Sequence, residues 1–253
     1  MSVDFSLEGK VALITGGSRG IGESIARAYA DYGAKVVISS RKAEALEGVA
    51  SSIKEAGGEA MSVACHTGKL DQVDALYEKI MDTYGRIDVL VNNAATNPYF
   101  GDVLNIDESL FDKTFEVNTK GYFFVAQRAA KLMTQQGKGS IVNVASVAGV
   151  SPSPMQGVYG MTKAAVICMT KAYAKELGSF GVRTNAICPG LTETKFSKVL
   201  IETEAIYQAA LQTIPMNRHA APDEMAGIAL YLASEASSFT NGAVMVVDGG
   251  STA

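Results

Sequence analysis

A tyrosine and a lysine four residues apart, Tyr159 and Lys163, follow Ser146 at an interval of thirteen residues, with Asn118 further back. On a helix, positions i and i+4 lie one above the other, so the phenol and the amine share a face. A free phenol titrates near pH ~10 and is a poor proton exchanger at neutrality. An ammonium ~4 Å away, at an effective dielectric of ~20, favours phenolate by about 4 kcal/mol, or roughly three pK units. Tyr159 then has the acidity of a general acid–base, able to protonate the alkoxide formed from a carbonyl and to take the proton back in the reverse direction. Ser146, on the loop after a strand, would hydrogen-bond the same oxygen. Asn118 would hold a water that relays protons to Lys163.

Tyrosine–lysine pairs occur on many helices, and the pair gains meaning from a glycine-rich turn, Thr15-Gly16-Gly17-Ser18-Arg19-Gly20-Ile21-Gly22. The turn follows an apolar run and opens an amphipathic one. In that setting Gly16, Gly20 and Gly22 let the backbone approach a pyrophosphate, and the helix start, with Ser18, Arg19 and Ile21, presents free N–H groups. The spacing, Gly16-x-x-x-Gly20-x-Gly22, is not the more familiar G-x-G-x-x-G. Beyond the second apolar run the chain reads Ser39-Ser40-Arg41-Lys42, with no acid to hold a ribose 2′-hydroxyl. Arg19 and Arg41, with Ser40 between the strand and Arg41, suit a 2′-phosphate, which favours NADP(H) over NAD. The competing reading is a solvated helix start, where basic residues are electrostatically out of place.

The bulk properties bound the answer. With 253 residues, 47% hydrophobic and 19% charged, the chain buries a large core, and one α/β domain spanning 1–253 is the economical expectation. A formal charge of -4 supplies no basic field, so neither nucleic acid nor an acidic membrane is an expected partner. Cys65, Cys168 and Cys188 lack CxxC spacing and fit a reducing cytoplasm, and His66 and His219 belong to no ligand-spaced cluster, so no metal is expected. Asp4 and Glu8 interrupt the start of the chain, which does not read as a secretory signal. No run approaches the ~18 apolar residues that a bilayer requires. A soluble, cytoplasmic protein is the expectation.

Short apolar runs alternate with amphipathic stretches, which predicts a seven-stranded parallel sheet, doubly wound in the Rossmann manner, with helices on both faces. The strands are read at Val11–Thr15, Lys35–Ser39, Ala60–Cys65, Val89–Asn92, Ser140–Ala145, Arg183–Ile187 and Ala243–Val247. Helices are read at Ile21–Tyr32, Ala43–Ala56, Leu70–Tyr84, Glu108–Gln136, Tyr159–Gly178 and Pro222–Ser234. A long excursion after the sixth strand, at about 190–221, falls where doubly wound sheets bind ligands and is read as a substrate lid. Tyr99, Phe100 and Met155, with Phe196, Leu200 and Ile201 of the lid, could wall an apolar substrate site.

Taken together, the chain resembles the short-chain dehydrogenase/reductase family over nearly its whole length. The resemblance rests on Gly16, Gly20 and Gly22, on Asn92-Asn93-Ala94, on Asn118, Ser146, Tyr159 and Lys163, and on Pro189-Gly190 with Thr194. It implies a hydride-transfer enzyme in which those four residues are catalytic and Tyr159 and Lys163 also bind the cofactor, Lys163 at the nicotinamide ribose. It further implies that Asn92 and Ala94 lie along the cofactor and that Pro189, Gly190, Leu191 and Thr194 line its nicotinamide end. Two departures stand out: Ala95 replaces a glycine, and His66 occupies a place beside the adenine where the family often has an aspartate.

Stretches such as Cys65-His66-Thr67-Gly68-Lys69 and Asn97-Pro98-Tyr99-Phe100-Gly101 are similar to carbonyl reductases of that family, although the chain ends Gly250-Ser251-Thr252-Ala253 without a Ser-Lys-Leu peroxisomal address. The expectation is an NADP(H)-dependent ketone or aldehyde reductase. The alternatives are a 3-oxoacyl-carrier-protein reductase, an NAD-linked alcohol dehydrogenase and, last, a non-catalytic dinucleotide sensor. Long apolar helix faces, read with the resemblance, imply a homotetramer, with a dimer second.

Overall fold

A computed structural model describes residues 3–253. Seven parallel strands form one sheet in the order β3-β2-β1-β4-β5-β6-β7. They are β1 (Val11–Thr15), β2 (Lys35–Ser40), β3 (Glu59–Ala64), β4 (Val89–Asn92), β5 (Gly139–Val144), β6 (Val182–Pro189) and β7 (Val244–Val247). Alternation along each strand divides the core in two. Ala12, Ile14, Val36 and Ile38 face α1 (Gly20–Asp31), α2 (Ala43–Glu55) and α9 (Ala226–Ala233), while Val11, Leu13, Val37 and Leu90 face α3 (Leu70–Tyr84) and α5 (Tyr122–Gln136). Strands buried on both sides read as continuous apolar runs, which is why VALIT and KVVISS carry no polar alternation.

The buried tyrosines are fixed by their hydroxyls. Tyr29 of α1 donates to the Ala229 carbonyl of α9 at 2.8 Å, and Tyr77 of α3 donates to the Val125 carbonyl of α5 at 2.7 Å, so each ring carries a buried polar atom with a partner. The sheet reverses direction of winding between β1 and β4, which pair directly. At such a switch point the carboxyl ends of the strands leave a crevice, and the loops after β1 and β4 border it.

Two predicted helices differ from the structure. The stretch read as one helix, 108–136, is α4 (Glu108–Phe115), a π-helical turn (Glu116–Gly121) and α5. The extra residue in the turn rotates Asn118 inward, and a one-residue bulge leaves no trace in an apolar periodicity. The helix read at 222–234 is a 3-10 turn (Pro222–Met225) followed by α9. The helix carrying the tyrosine–lysine pair, α6 (Gly157–Leu177), begins two residues before Tyr159. Within the excursion at 190–221, two short helices form, α7 (Lys198–Glu202) and α8 (Glu204–Leu211).

Beneath the crevice a buried polar chain ties β4, β5 and α6 together. Asn92 Nδ2 donates to Asn143 Oδ1 at 3.2 Å, and Asn143 Nδ2 donates to Thr170 Oγ1 at 2.9 Å. Truncation at its centre removes both bonds and leaves one buried Asn92 N–H and the acceptor side of Thr170 Oγ1 unsatisfied. Asn143→Ala is therefore expected to cost about 2–3 kcal/mol, read as a lower urea midpoint at unchanged slope; a loss below ~0.5 kcal/mol would show that the chain is dispensable.

Candidate active site

The site forms where the β1 turn, the β4 loop, the π turn, the β5 loop and α6 converge. The turn is built first by its own backbone: Gly16 and Gly17 N–H groups donate to the Ser39 carbonyl at 2.6 and 3.2 Å, which folds the chain back over the end of β2. Gly16 has φ +70, and a Cβ there would lie 2.7 Å from Asn93 Nδ2; at Gly22 it would lie 2.5 Å from both Asn93 Nδ2 and the Gly16 carbonyl. Only glycine fits at either place, and the helix packs against the turn at backbone contact.

Asn93 locks this arrangement. Its side chain donates to the Thr15 and Gly16 carbonyls at 3.0 and 3.3 Å, and its own N–H donates to Thr15 Oγ1 at 2.9 Å. The Ala94 N–H uses the same hydroxyl at 3.1 Å. Sequence reading named Asn93 within the Asn92-Asn93-Ala94 motif but gave a role only to Asn92 and Ala94. The glycines were the available signal, because a turn with no side chains needs a neighbouring side chain to hold it. Asn92, expected along the cofactor, is buried and donates to the Tyr122 carbonyl at 3.0 Å as well as to Asn143, so its amide works beneath the crevice rather than in it.

These features test whether a dinucleotide fits. The first-turn N–H groups of α1, at Gly20, Ile21 and Gly22, have no intrahelical acceptor and sit at the positive end of the helix dipole, with Ser18 and Arg19 at its mouth. Gly20 lies close to Thr194, whose Cγ2 would be 3.2 Å from a Cβ at that glycine, so the excursion after β6 closes against the turn. Gly190 backs directly onto Asp248, with 2.7 Å between its absent Cβ and that Cα, and Leu191 is held by the Ala220 N–H at 2.9 Å. Pro189 ends β6, which brings Pro189, Gly190, Leu191 and Thr194 to the same end of the sheet.

At the end of β2, Ser40 Oγ is buried without a hydrogen-bond partner, and neither Arg19 nor Arg41 forms an ion pair among the described residues. An orphaned hydroxyl one residue before Arg41, with Arg41 and Arg19 both free of ion pairs, suits a phosphate monoester. His66 is part of the same neighbourhood. Its Nδ1 accepts from the Gly68 N–H at 3.1 Å and its Nε2 lies 3.2 Å from Lys113 Nζ. Burial, then Lys113 and Arg41, hold the imidazole below its ordinary pKa despite the opposing pull of Glu116.

The catalytic candidates lie at the other end of the crevice. Lys163 is fully buried on α6, and its Nζ donates to the Val144 carbonyl at 2.8 Å and to the Tyr122 hydroxyl at 3.1 Å, which itself donates to Val144 at 3.0 Å. Nζ lies 5.7 Å from the centre of the Tyr159 ring. Ser146 caps the short turn after β5, accepting from the Ala148 N–H at 3.1 Å, and faces Tyr159. Asn118 uses both ends of its amide on Thr96, accepting from its N–H and donating to its carbonyl at 2.8 Å each, and donates to Thr162 Oγ1 at 3.2 Å.

The structure corrects the electrostatic expectation for this pair. Burial pushes the Tyr159 phenol up, against a smaller lowering by the Ser146 hydroxyl, and burial pushes Lys163 down to about 7. Desolvation dominates for both groups, because they share one dry environment and the amine is turned to Val144. Chemically, the site offers a neutral phenol, a hydroxyl beside it and an amine that changes charge near neutrality. Among the described residues no group of three or more His, Cys, Asp or Glu could hold a metal.

Comparison with known proteins is consistent with this geometry. A family model described as Enoyl-(Acyl carrier protein) reductase matches residues 16–252. Dehydrogenase/reductase SDR family member 4 of Bos taurus is 38% identical over 245 residues, 97% of this chain and 88% of that protein. The 3-oxoacyl-[acyl-carrier-protein] reductase FabG of Thermotoga maritima is 40% identical over 246 residues, 96% of this chain and 98% of that protein. Among solved structures, a gluconate 5-dehydrogenase from Burkholderia cenocepacia in complex with NADP and tartrate superposes with a TM-score of 0.95 at 34% identity, covering 99% of this chain and 98% of that one.

The buried amine has a measurable signature. Between about pH 7 and the ordinary lysine value, the unfolded chain holds a proton that the folded chain lacks, so folding becomes more favourable as pH rises; below about 7 both states hold it and the full burial penalty stands. In the absence of cofactor, the stability of Lys163→Met minus that of the native protein should therefore shrink as pH rises, by up to roughly 1.4 kcal/mol per unit. Urea unfolding across about pH 6–9 measures it, and a difference independent of pH would remove the depressed amine from the account.

Proposed function

The chain belongs to the short-chain dehydrogenase/reductase family of oxidoreductases, which move hydride between a nicotinamide dinucleotide and CH–OH or C=O groups, and from this we propose that it is an NADP(H)-dependent reductase of ketones and aldehydes, running reversibly as an alcohol dehydrogenase. The observation that carries the reading is the convergence of Tyr159, Ser146 and Lys163 at one end of a crevice. Its other end holds a free helix N-terminus, an orphaned Ser40 hydroxyl and two unpaired arginines. The bound dinucleotide supplies the hydride and, once oxidised, a positive charge.

The residues of the chain supply the rest. First-turn N–H groups of α1 would hold the pyrophosphate, and Arg41, Arg19 and Ser40 would hold the 2′-phosphate. Thr194, Leu191, Pro189 and Gly190 would hold the nicotinamide end, and Lys163 its ribose. Tyr159 donates its phenolic proton to the substrate oxygen as the carbonyl carbon gains hydride, and Ser146 orients that oxygen. Lys163, titrating at about 7, restores the proton to the phenolate. Asn118 fixes the loop at Thr96, and a water beside it completes the relay to the amine.

The segment at 190–221 acts as a lid, with the Phe196 ring already 5.2 Å from that of Tyr159. The reading also includes a homotetramer in the cytoplasm. An open groove of about 360 Å³ along α5 and α6, lined by Phe123, Met169 and Tyr173, supports burial of those helices against another subunit. Three free cysteines support a reducing compartment. A second reading, reduction of a 3-oxoacyl carrier thioester, draws on the FabG relative. Phe180, exposed near the end of α6 where basic residues would meet an acidic carrier, weighs against it.

Tyr159→Phe should lower kcat for ketone reduction by roughly 10²–10⁴-fold while NADPH titration by fluorescence remains unchanged; retained turnover would refute the proton-donor role. Arg41→Ala should weaken NADPH binding by roughly tenfold or more and leave NADH binding nearly unchanged, since only the former loses a charge-assisted hydrogen bond. Equal losses for the two cofactors would reject the 2′-phosphate assignment.

A further inference from the structure

His219 takes no part in proton transfer or in the cofactor crevice, yet it stands at a junction between the lid and the loop beneath it. Its Nδ1 lies 2.7 Å from the Tyr207 hydroxyl of α8, with the two ring centres 5.6 Å apart, and its Nε2 lies 3.6 Å from a Glu193 carboxylate oxygen in the loop after β6. With its Nε2–H facing a carboxylate, the neutral ring leaves Nδ1 as the acceptor, so the Tyr207 hydroxyl donates. The Glu193 side chain is largely exposed, so its pull sets the orientation of the ring more than it adds energy.

The two sides of the junction differ in firmness. On the loop side, the Ala220 N–H donates to the Leu191 carbonyl at 2.9 Å and the Glu193 N–H donates to the Ala220 carbonyl at 2.8 Å. Ser197 Oγ donates to the Thr192 carbonyl and accepts from the Thr194 N–H at 3.0 Å, so the stretch 191–197 is one hydrogen-bonded unit, with Phe196 against Tyr159. Arg218 holds the other flank, donating to the His219 carbonyl at 3.1 Å and to both Glu224 carboxylate oxygens at 2.7 Å. On the lid side, neither α7 nor α8 has a buried residue, and a helix of eight residues is marginal in water by itself. The bond from Tyr207 is the only hydrogen bond that a side chain of α8 makes outside its own helix among the described residues. Thus α7, with Leu200 and Ile201, is strung between two anchors on one unit, Ser197 at its start and His219 beyond it.

Resting on the oxidoreductase reading above, we propose that Tyr207, His219 and Glu193 are positioning residues that latch α8 to the 191–197 unit and so keep the lid closed on the carbonyl substrate beside Tyr159. None of the three touches the reacting atoms. Releasing the far anchor frees α7 and α8 while the near anchor at Ser197 stays in place, so the latch governs retention of the substrate and leaves the proton relay and the cofactor crevice as they are.

The test combines amide hydrogen exchange over residues 198–211 with kcat and KM for hexanal and 2-hexanone with NADPH, in the native protein, Tyr207→Phe, His219→Leu and the double variant. Tyr207→Phe keeps the ring and removes only the bond. It should speed exchange in α7 and α8 by roughly three- to tenfold and raise KM by a similar factor, while kcat stays within about twofold and NADPH binding by fluorescence is unaltered. A merely structural role would instead lower the urea midpoint and kcat together, and that result overturns the proposal. The double variant should be no worse than His219→Leu alone; single effects that multiply would refute the pairing. Unchanged exchange in α8 of Tyr207→Phe overturns the latch whatever the kinetics, and faster exchange at unchanged KM overturns its part in holding substrate. Turnover of neither compound by the native protein overturns the oxidoreductase reading for such substrates, while the exchange result still decides the latch.

Discussion

The arrangement depends on keeping an amine dry. Lys163 is fully buried, and its hydrogen-bond partners among the described residues are the Val144 carbonyl at the tip of β5 and the Tyr122 hydroxyl at the head of α5. A buried, unpaired ammonium would cost several kcal/mol, so the amine lowers its proton affinity instead and becomes a base near neutrality. Three elements must therefore meet at one nitrogen. Tyr122 reaches it because the π turn ends immediately before that residue, and β5 reaches it because Asn143 is bound on both sides, to β4 and to α6.

The second half of the crevice is governed by a different constraint, close approach of backbone to backbone. Here side chains are excluded rather than positioned. Asn93 and Thr15 replace the contacts that the glycines cannot make, and the helix start is left open to an anion. One end of the crevice thus relies on polar atoms without partners, and the other on a polar atom with too few. Both conditions are compatible with a stable fold because the sheet beneath is apolar and continuous on both faces.

Much of this was legible in the sequence. All seven strands lie within two residues of their predicted ends, because doubly buried strands announce themselves as short apolar runs between glycine stops. The tyrosine–lysine pair and the glycine turn stood out by residue type and spacing. What escaped notice was local and three-dimensional. The π turn changes the count by one residue and leaves the apolar period intact. Asn93 acts on a turn some seventy-eight positions away. The acidity of Tyr159 was misjudged because Coulomb attraction follows from adjacency, whereas desolvation follows from everything packed around both groups.

The pairing of β1 with β4 has a bearing on how the protein is made. Val11 donates to Asp88 across seventy-seven positions of chain at 2.9 Å, so β1 lacks one of its two neighbours until β4 has emerged from the ribosome. During that interval β1, β2 and β3 can associate with α1 and α2, but one edge, the apolar β1, stays unpaired. Slow synthesis through residues 60–90 would prolong this exposed half-sheet, before Asn118, Ser146, Tyr159 or Lys163 has been translated.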